Sequence, residues 1–190
     1  MQFSSSQTLS HPAPLVLDTM IHNMEAIVPF LPNVESIATE KSEELSNRQI
    51  RIVRHWTGAI DAAPAIVRPF LPAEWLGWTD TAVWTPAEYK VEWTHTPTVT
   101  RLASLYDCNG TNYFEPDPTN PTKQTRIRIA GNLVVHPSVL PGVPRFLADR
   151  MAPQVEKFII NLVTPNLSDL VSGLQRYLDR QQKRPAKRPK

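Results

Sequence analysis

Between Pro144 and Asp179 the chain carries its longest apolar-periodic run, and that run restricts the fold more than any other feature. Phe146, Leu147, Met151, Val155, Phe158, Ile159, Leu162, Val163, Leu167, Leu170, Val171, Leu174 and Leu178 recur mainly at steps of three and four. That spacing puts them on one face of a helix. Arg145, Asp149, Arg150, Glu156, Lys157, Asp169, Gln175 and Arg176 occupy the other face. A helix of about 35 residues spans roughly 50 Å at 1.5 Å per residue. Its apolar stripe needs a broad apolar partner, which the rest of the chain has to supply. Pro153 and Pro165 each remove a helical hydrogen bond, so a bend or break is expected near Pro165.

The preceding sequence has the makings of that partner. Phe3, Ser5, Gln7 and Leu9 alternate with polar neighbours as in a first strand. Ser10 is placed to cap a helix starting near Pro12 or Pro14, and a short second helix is expected over Met24–Phe30. From Asn33 the period drops to two. Strands are expected over Val34–Leu45, Arg48–Thr57, Thr79–Thr85, Ala87–Thr96, Val99–Glu115 and Gln124–His136, with a bulge at Asn109-Gly110. Gly58–Leu76, with three prolines, interrupts this meander as an insertion containing a short helix. Consecutive hairpins build an antiparallel sheet with one buried face. The expected fold class is α+β: seven antiparallel strands curved around a long, kinked C-terminal helix, with two short helices after the first strand.

Composition narrows the class of function. The 190 residues are 41% hydrophobic, enough for one domain with a core, and no run approaches the ~18 apolar residues of a membrane span. No secretory signal is visible at the N-terminus, so the cytoplasm is the expected compartment. Cys108 is the one cysteine, which excludes an internal disulfide and a cysteine-based zinc site. Lys183, Arg184, Lys187, Arg188 and Lys190 crowd the end of the chain. Without these five, 15 basic residues face 18 acidic ones, so the body is slightly acidic. Residues 1–181 are therefore expected to form the domain and 182–190 a disordered, basic, Pro-rich tail. Nucleic acid is not an expected partner; a transient contact with an anionic membrane surface is compatible with the tail.

The order of elements resembles the START-like, or SRPBCC, helix-grip superfamily, which includes lipid-transfer START domains, Bet v 1-type proteins and polyketide cyclases/aromatases. The segment TRIRIAGNLVVHPSVLPGVPRFLADRMAPQVEKFIINLVTPNLSDLVSGLQRYLD, from Thr125 to Asp179, carries the likeness. A last strand, a Gly-containing turn and a long helix end many bacterial members of that group in the same way. RPFLPAEWLGWTDTAVWTP is similar to the region that connects their strands. FSSSQTLSHPAPLVL, near the start, gives a weaker likeness to the PRELI-type phospholipid-transfer proteins. The resemblance implies an apolar cavity between sheet and helix that holds a lipid or polyketide-like molecule. It rests on no invariant catalytic motif, and none of the five histidines stands at i, i+4 from another or within a carboxylate motif, so no cofactor, metal or catalytic residue is expected.

Specific residues are candidates for such a cavity. Trp56, Trp93, Tyr89 and His95 fall on inward strand phases, and Ile129 does so in the last strand. Phe70, Trp75 and Trp78 lie in or beside the insertion and are assigned to a lid, while Leu147, Met151, Val155 and Ile159 come from the helix stripe. The tryptophans serve equally as ordinary core. Arg54 is in phase with Ile50, Ile52 and Trp56. Inward, it holds a ligand carboxylate or phosphate, pairs with a structural carboxylate or sits at the open rim; a slip of the strand phase by one residue puts it outside. His95 is a candidate acid or base, or a satisfied histidine at the rim. A carrier or sensor of a hydrophobic molecule leads; a cyclase/aromatase-type enzyme and a protein-interaction module are the alternatives.

Overall fold

A computed structural model describes residues 1–62, 72–136, 153 and 169–183. The chain opens with β1 (Gln2–Leu9), α1 (Ala13–His22) and a 3-10 helix over Met24–Phe30. The meander follows as β2 (Val34–Glu44), β3 (Ile50–Gly58), β4 (Gly77–Thr85), β5 (Lys90–Pro97), β6 (Tyr106–Pro116) and β7 (Thr125–Val135). Helical backbone over residues 169–182, here called α2, ends the described chain. All neighbouring strands are antiparallel, in the order β1-β7-β6-β5-β4-β3-β2. β1 thus closes onto the last strand and leaves β2 at the opposite edge. The result is the expected curved seven-stranded sheet with a C-terminal helix and a few short helices.

Alternation sets the buried face. Phe3, Leu9, Ile52, Trp56, Ala82, Trp84, Val91, Trp93, Phe114, Ile127, Ile129 and Leu133 turn to one side and join one core with Val16, Met20 and Ile27. Val171, Leu174 and Leu178 of α2 pack into the same core. The apolar stripe therefore lies against the sheet-and-α1 interior in its described part. The bend expected at Pro165 and the tail after Lys183 fall outside the described residues.

Polar contacts fasten α2 to the beginning of the chain. Buried His11 places Nε2 2.9 Å from Asp179, and the Ser10 amide donates to Gln175 Oε1 at 2.8 Å. Asn33 donates to Asp169 at 3.0 Å, and Arg176 donates to the Phe30 carbonyl at 2.5 Å. At Gly173 of α2 the approach is close: a Cβ there would stand 2.8 Å from Leu31 Cδ2 and 3.1 Å from the Phe30 oxygen.

Several local expectations change. Ser10 does not cap α1; Pro12 occupies the N-cap position without a side-chain hydrogen bond, and the Ser10 amide is committed to α2. Asn109-Gly110 is not a bulge, because β6 keeps unbroken register with both neighbours through Gly110. The register shifts lie in edge strand β2, at Val34/Ser36 and Thr39/Lys41. Val99–Leu105 is not strand: Thr100–Leu102 forms a 3-10 turn before β6 begins at Tyr106.

Candidate functional site

The inward face of the sheet is organised in rows that cross the strands. Trp56 and Trp78 are cross-strand partners and stack, with ring centroids 5.5 Å apart. Two residues along, Arg54 pairs with Asp80, Asp80 with His95, and His95 with Cys108. Four adjacent strands therefore each place one polar side chain in the same row. The next row is Ile52, Ala82, Trp93, Gly110, Gly131 and Phe3. Phe3 and Trp93 approach each other over the two glycines, with centroids 6.4 Å apart.

Arg54 is 2% exposed. Its Nη2 donates to the carbonyls of Met20 at 3.1 Å and Ile21 at 2.6 Å. These carbonyls belong to the last turn of α1, where a cation also meets the negative end of the helix dipole. Arg54 thus ties α1 to the sheet, and its Nε reaches Thr39 Oγ1 at 3.4 Å. Its Nη1 is buried with no hydrogen-bond partner among the described residues. Burial lowers the guanidinium pKa, opposed by the charges of Asp80 and Glu25.

His95 lies between Trp93, stacked at 4.5 Å, and Trp78 at 6.3 Å. Its Nε2 is 3.3 Å from Asp80 Oδ1, within ion-pair reach, yet Oδ1 accepts no hydrogen bond from the described residues. Burial opposes a charged imidazole, and the neighbouring Asp80 and Cys108 more than offset it, raising the pKa to about 9. The ring is then an imidazolium at neutral pH, suited to giving a proton or holding an anion. Its side chain keeps 22% of its surface accessible, whereas that of Asp80 keeps 10%. Tyr106, in the adjoining row, has its hydroxyl pKa raised by burial and by Cys108.

The surroundings are aromatic and short of partners. Trp93 Nε1 donates to Asn112 Oδ1 at 2.9 Å. The indole nitrogens of Trp56, Trp78 and Trp84 are buried with no partner among the described residues. Such groups are uncommon in a folded interior and call for an explanation. Among the described residues no group of three or more His, Cys, Asp or Glu side chains is arranged to hold a metal ion.

No family model matches the chain. No curated protein matches it by sequence. Solved structures do. The Zhui aromatase/cyclase from a Streptomyces species superposes with a TM-score of 0.66 at 13% identity, over 96% of each chain. A START superfamily protein from Mycobacterium smegmatis gives 0.54 at 15% identity, over 95% of this chain and 98% of its own. Norcoclaurine synthase from Thalictrum flavum, in complex with dopamine and hydroxybenzaldehyde, gives 0.56 at 10% identity, over 97% and 89%. The chain has the START-like helix-grip fold. At these identities the likeness is one of fold.

In helix-grip terms, Arg54, Trp56, Trp78, Trp93, His95 and Ile129 come together on the inward face. Trp78 belongs there too rather than to a lid: it sits within β4 and stacks on Trp56. Trp75 is in the 3-10 turn before β4, with the Arg101 guanidinium 5.5 Å above its ring. Tyr89 stands apart. It occupies the β4–β5 turn with φ 52°, six residues from His95 and so about 20 Å away along the strand. Phe70, Leu147, Met151, Val155 and Ile159 fall outside the described residues. Asp80, Cys108 and Asn112 were missed. Alternation alone puts Asp80 inward with Trp78, Ala82 and Trp84, and that phase was the available signal.

Proposed function

We propose that the protein binds an apolar small molecule, lipid-like or polyketide-like, against the inward face of the sheet, as a carrier or sensor in the cytoplasm. The observation that carries this reading is the row Arg54–Asp80–His95–Cys108, set within aromatic rings and holding buried polar atoms without partners. A core built only for stability would be apolar there or fully paired. Trp56, Trp78 and Trp93 give flat walls, with Trp75 at the margin; Phe70, Leu147, Met151, Val155 and Ile159 would complete the enclosure. Residues 1–181 act as the binding domain and 182–190 as an appended basic tail.

The test is native mass spectrometry of protein purified from its own host, followed by titration with a fluorescent fatty acid and a fluorescent naphthalene. A copurified apolar mass, or uptake that quenches tryptophan emission, is expected. Protein that stays empty and takes up neither probe refutes the reading.

The charged state of His95 favours a second reading, an enzyme of the cyclase or aromatase type. There His95 would protonate an enolate oxygen of a bound substrate, with Arg54 holding the wall in place. Replacement of His95 by Phe separates the two: binding kept and turnover lost supports the enzyme, whereas no turnover in the wild type removes it.

A further inference from the structure

The sheet ends on two edge strands, β1 and β2, and they are built differently. β2 carries Glu35, Glu40, Lys41, Glu43 and Glu44 and two register shifts. Charges and bulges of that kind keep an open edge from pairing with another chain. β1, QFSSSQTL, has no charge, no proline and no bulge, and all eight of its residues keep one register with β7. The Met1 amino group and carbonyl both bond Leu133, so the hydrogen-bonded pairs with β7 fall on Met1, Phe3, Ser5, Gln7 and Leu9. The N–H and C=O of Gln2, Ser4, Ser6 and Thr8 therefore face the free edge, where no strand pairs with them among the described residues. Their side chains are exposed. On the inward side of the strand, Ser5 Oγ is buried with no hydrogen-bond partner among the described residues.

We propose that β1 docks edge to edge on β1 of a second copy of this chain, antiparallel about a twofold axis at Ser5. In that register Gln2 faces the partner's Thr8 and Ser4 faces the partner's Ser6, each pair exchanging two backbone hydrogen bonds. Every free N–H and C=O of the two edges is then used. Ser5 meets its own copy as a non-hydrogen-bonded pair, with about 4.5 Å between Cα atoms. At that distance a turn about χ1 brings the two Ser5 hydroxyls together and satisfies the orphan. All facing side chains are uncharged, so self-pairing sets no like charges opposite each other. The nearest charges on β7, Arg126 and Arg128, are bound to Asp117 and Glu115. Arg54, Asp80 and His95 stand on β3, β4 and β5, which β7 and β6 separate from this edge, so docking and ligand binding are separable.

Sedimentation equilibrium of the full chain, with no tag ahead of Met1, reads the assembly. The mass should rise from 21.5 kDa toward twice that value with a Kd below about 100 µM. Ser4→Pro removes one edge N–H and no bond to β7. It should weaken association at least about 10-fold while the cooperative thermal melt is kept. Ser5→Cys, with oxidised glutathione as the oxidant, should give a disulfide-linked dimer, because a residue on the axis meets its own copy within disulfide reach. Gln7→Cys should not, since its copy lies about 13 Å away along the strand; wild type, whose Cys108 is buried, is the blank. If the proline variant fails to fold, amide exchange in the wild type decides. The Ser4 and Ser6 amides should gain protection as concentration rises, whereas the Phe3 and Ser5 amides stay protected throughout. A wild type still at 21.5 kDa at about 500 µM overturns the proposal. So does a dimer that survives Ser4→Pro, exchange at Ser4 and Ser6 that ignores concentration, or a link that forms through Gln7→Cys and not through Ser5→Cys.

Discussion

Gly110 and Gly131 are cross-strand partners beneath the Phe3–Trp93 contact, and replacing each with alanine tests the geometry of the face. A Cβ at Gly110 would stand 2.4 Å from both Trp93 Cζ2 and the Ala130 carbonyl oxygen, and 2.9 Å from Gly131 Cα. Two of these neighbours are backbone, so the methyl forces β6 and β7 apart rather than turning one ring. Overpacking of this kind costs about 1–3 kcal/mol. Loss of glycine's freedom in the unfolded chain returns about 0.4–1 kcal/mol. A net loss of roughly 1–2 kcal/mol is expected, or about 2–8 °C in Tm for a domain of this size. Gly58 is the control. A Cβ there meets nothing closer than 3.4 Å, so Gly58→Ala should be neutral or raise Tm by up to about 4 °C.

Gly131 differs in kind. Its Cβ would meet Phe3 Cζ at 2.4 Å, and its nearest backbone neighbour, Asn109 O, is at 2.9 Å. A side chain can yield where a carbonyl cannot. In a Phe3→Leu background, the cost of Gly131→Ala should fall by more than about 0.5 kcal/mol, while that of Gly110→Ala should not change. Thermal melts and urea curves of the single and double variants supply the measurement, and near-UV circular dichroism follows Trp93. If Gly110→Ala is as stable as Gly58→Ala, the strands at this point are not packed as described, and the placement of Trp93 and His95 loses its support.

Arg54→Met should cost about 3 kcal/mol or more by urea denaturation, because the Met20 and Ile21 carbonyls and Asp80 lose their cation; amide exchange should speed up first in the last turn of α1. Trp93→Phe leaves Asn112 Oδ1 without its donor, whereas Trp84→Phe removes an N–H that has no partner among the described residues. The former should therefore be the more destabilising of the two by about 1–3 kcal/mol. His95, raised from 6.5 to about 9, contributes stability that is complete below pH 6.5 and is lost as pH rises through 9; a ring titrating near 6.5 by NMR refutes this, and His95→Gln should flatten the alkaline slope. Asp179 is shifted down, chiefly by its hydrogen bond to His11. Its contribution is present above the ordinary carboxylate range near 3.9 and lost as pH falls through its lower folded value, so Asp179→Asn should weaken the acid-side fall in stability.

The strands were legible because alternation is a local property. Ile50, Ile52, Arg54 and Trp56 repeat at a period of two, and the structure keeps that phase, with Arg54 inward and His55 outward beside Thr79 and Glu40. A short helix at Met24–Phe30 was legible from Pro29, which lies in its last turn, and Pro32 just beyond it; its 3-10 form was not. The polar row was not, because it is a property of register. Arg54, Asp80, His95 and Cys108 are each one inward residue on its own strand, and only the hairpin geometry decides that they stand side by side. The β4–β5 turn fixes the middle of the row by putting Pro86–Glu88 in a 3-10 turn and Tyr89 in the left-handed region. That same turn removes Tyr89 from the strand phase the sequence suggested. Gly110 was misread for a related reason. Asn-Gly is a strong turn signal, but here the glycine answers a need for room under Trp93.

Register also explains how one surface can serve stability and recognition together. Arg54 uses its Nη2 and Nε for structure, fastening α1 and β2, and leaves Nη1 without a described partner. Asp80 is the cross-strand neighbour of both Arg54 and His95 and lies within ion-pair reach of His95, at 3.3 Å. Trp93 spends its N–H on Asn112 and keeps its ring face for His95. In each case the bonds that hold the fold run along the sheet or toward α1, and what remains unpaired belongs to the row around His95. The seam of α2, closed by His11, Ser10, Asn33 and Phe30, engages none of these groups. Changes on that seam should therefore move stability without moving the His95 pKa, while changes in the row should move both.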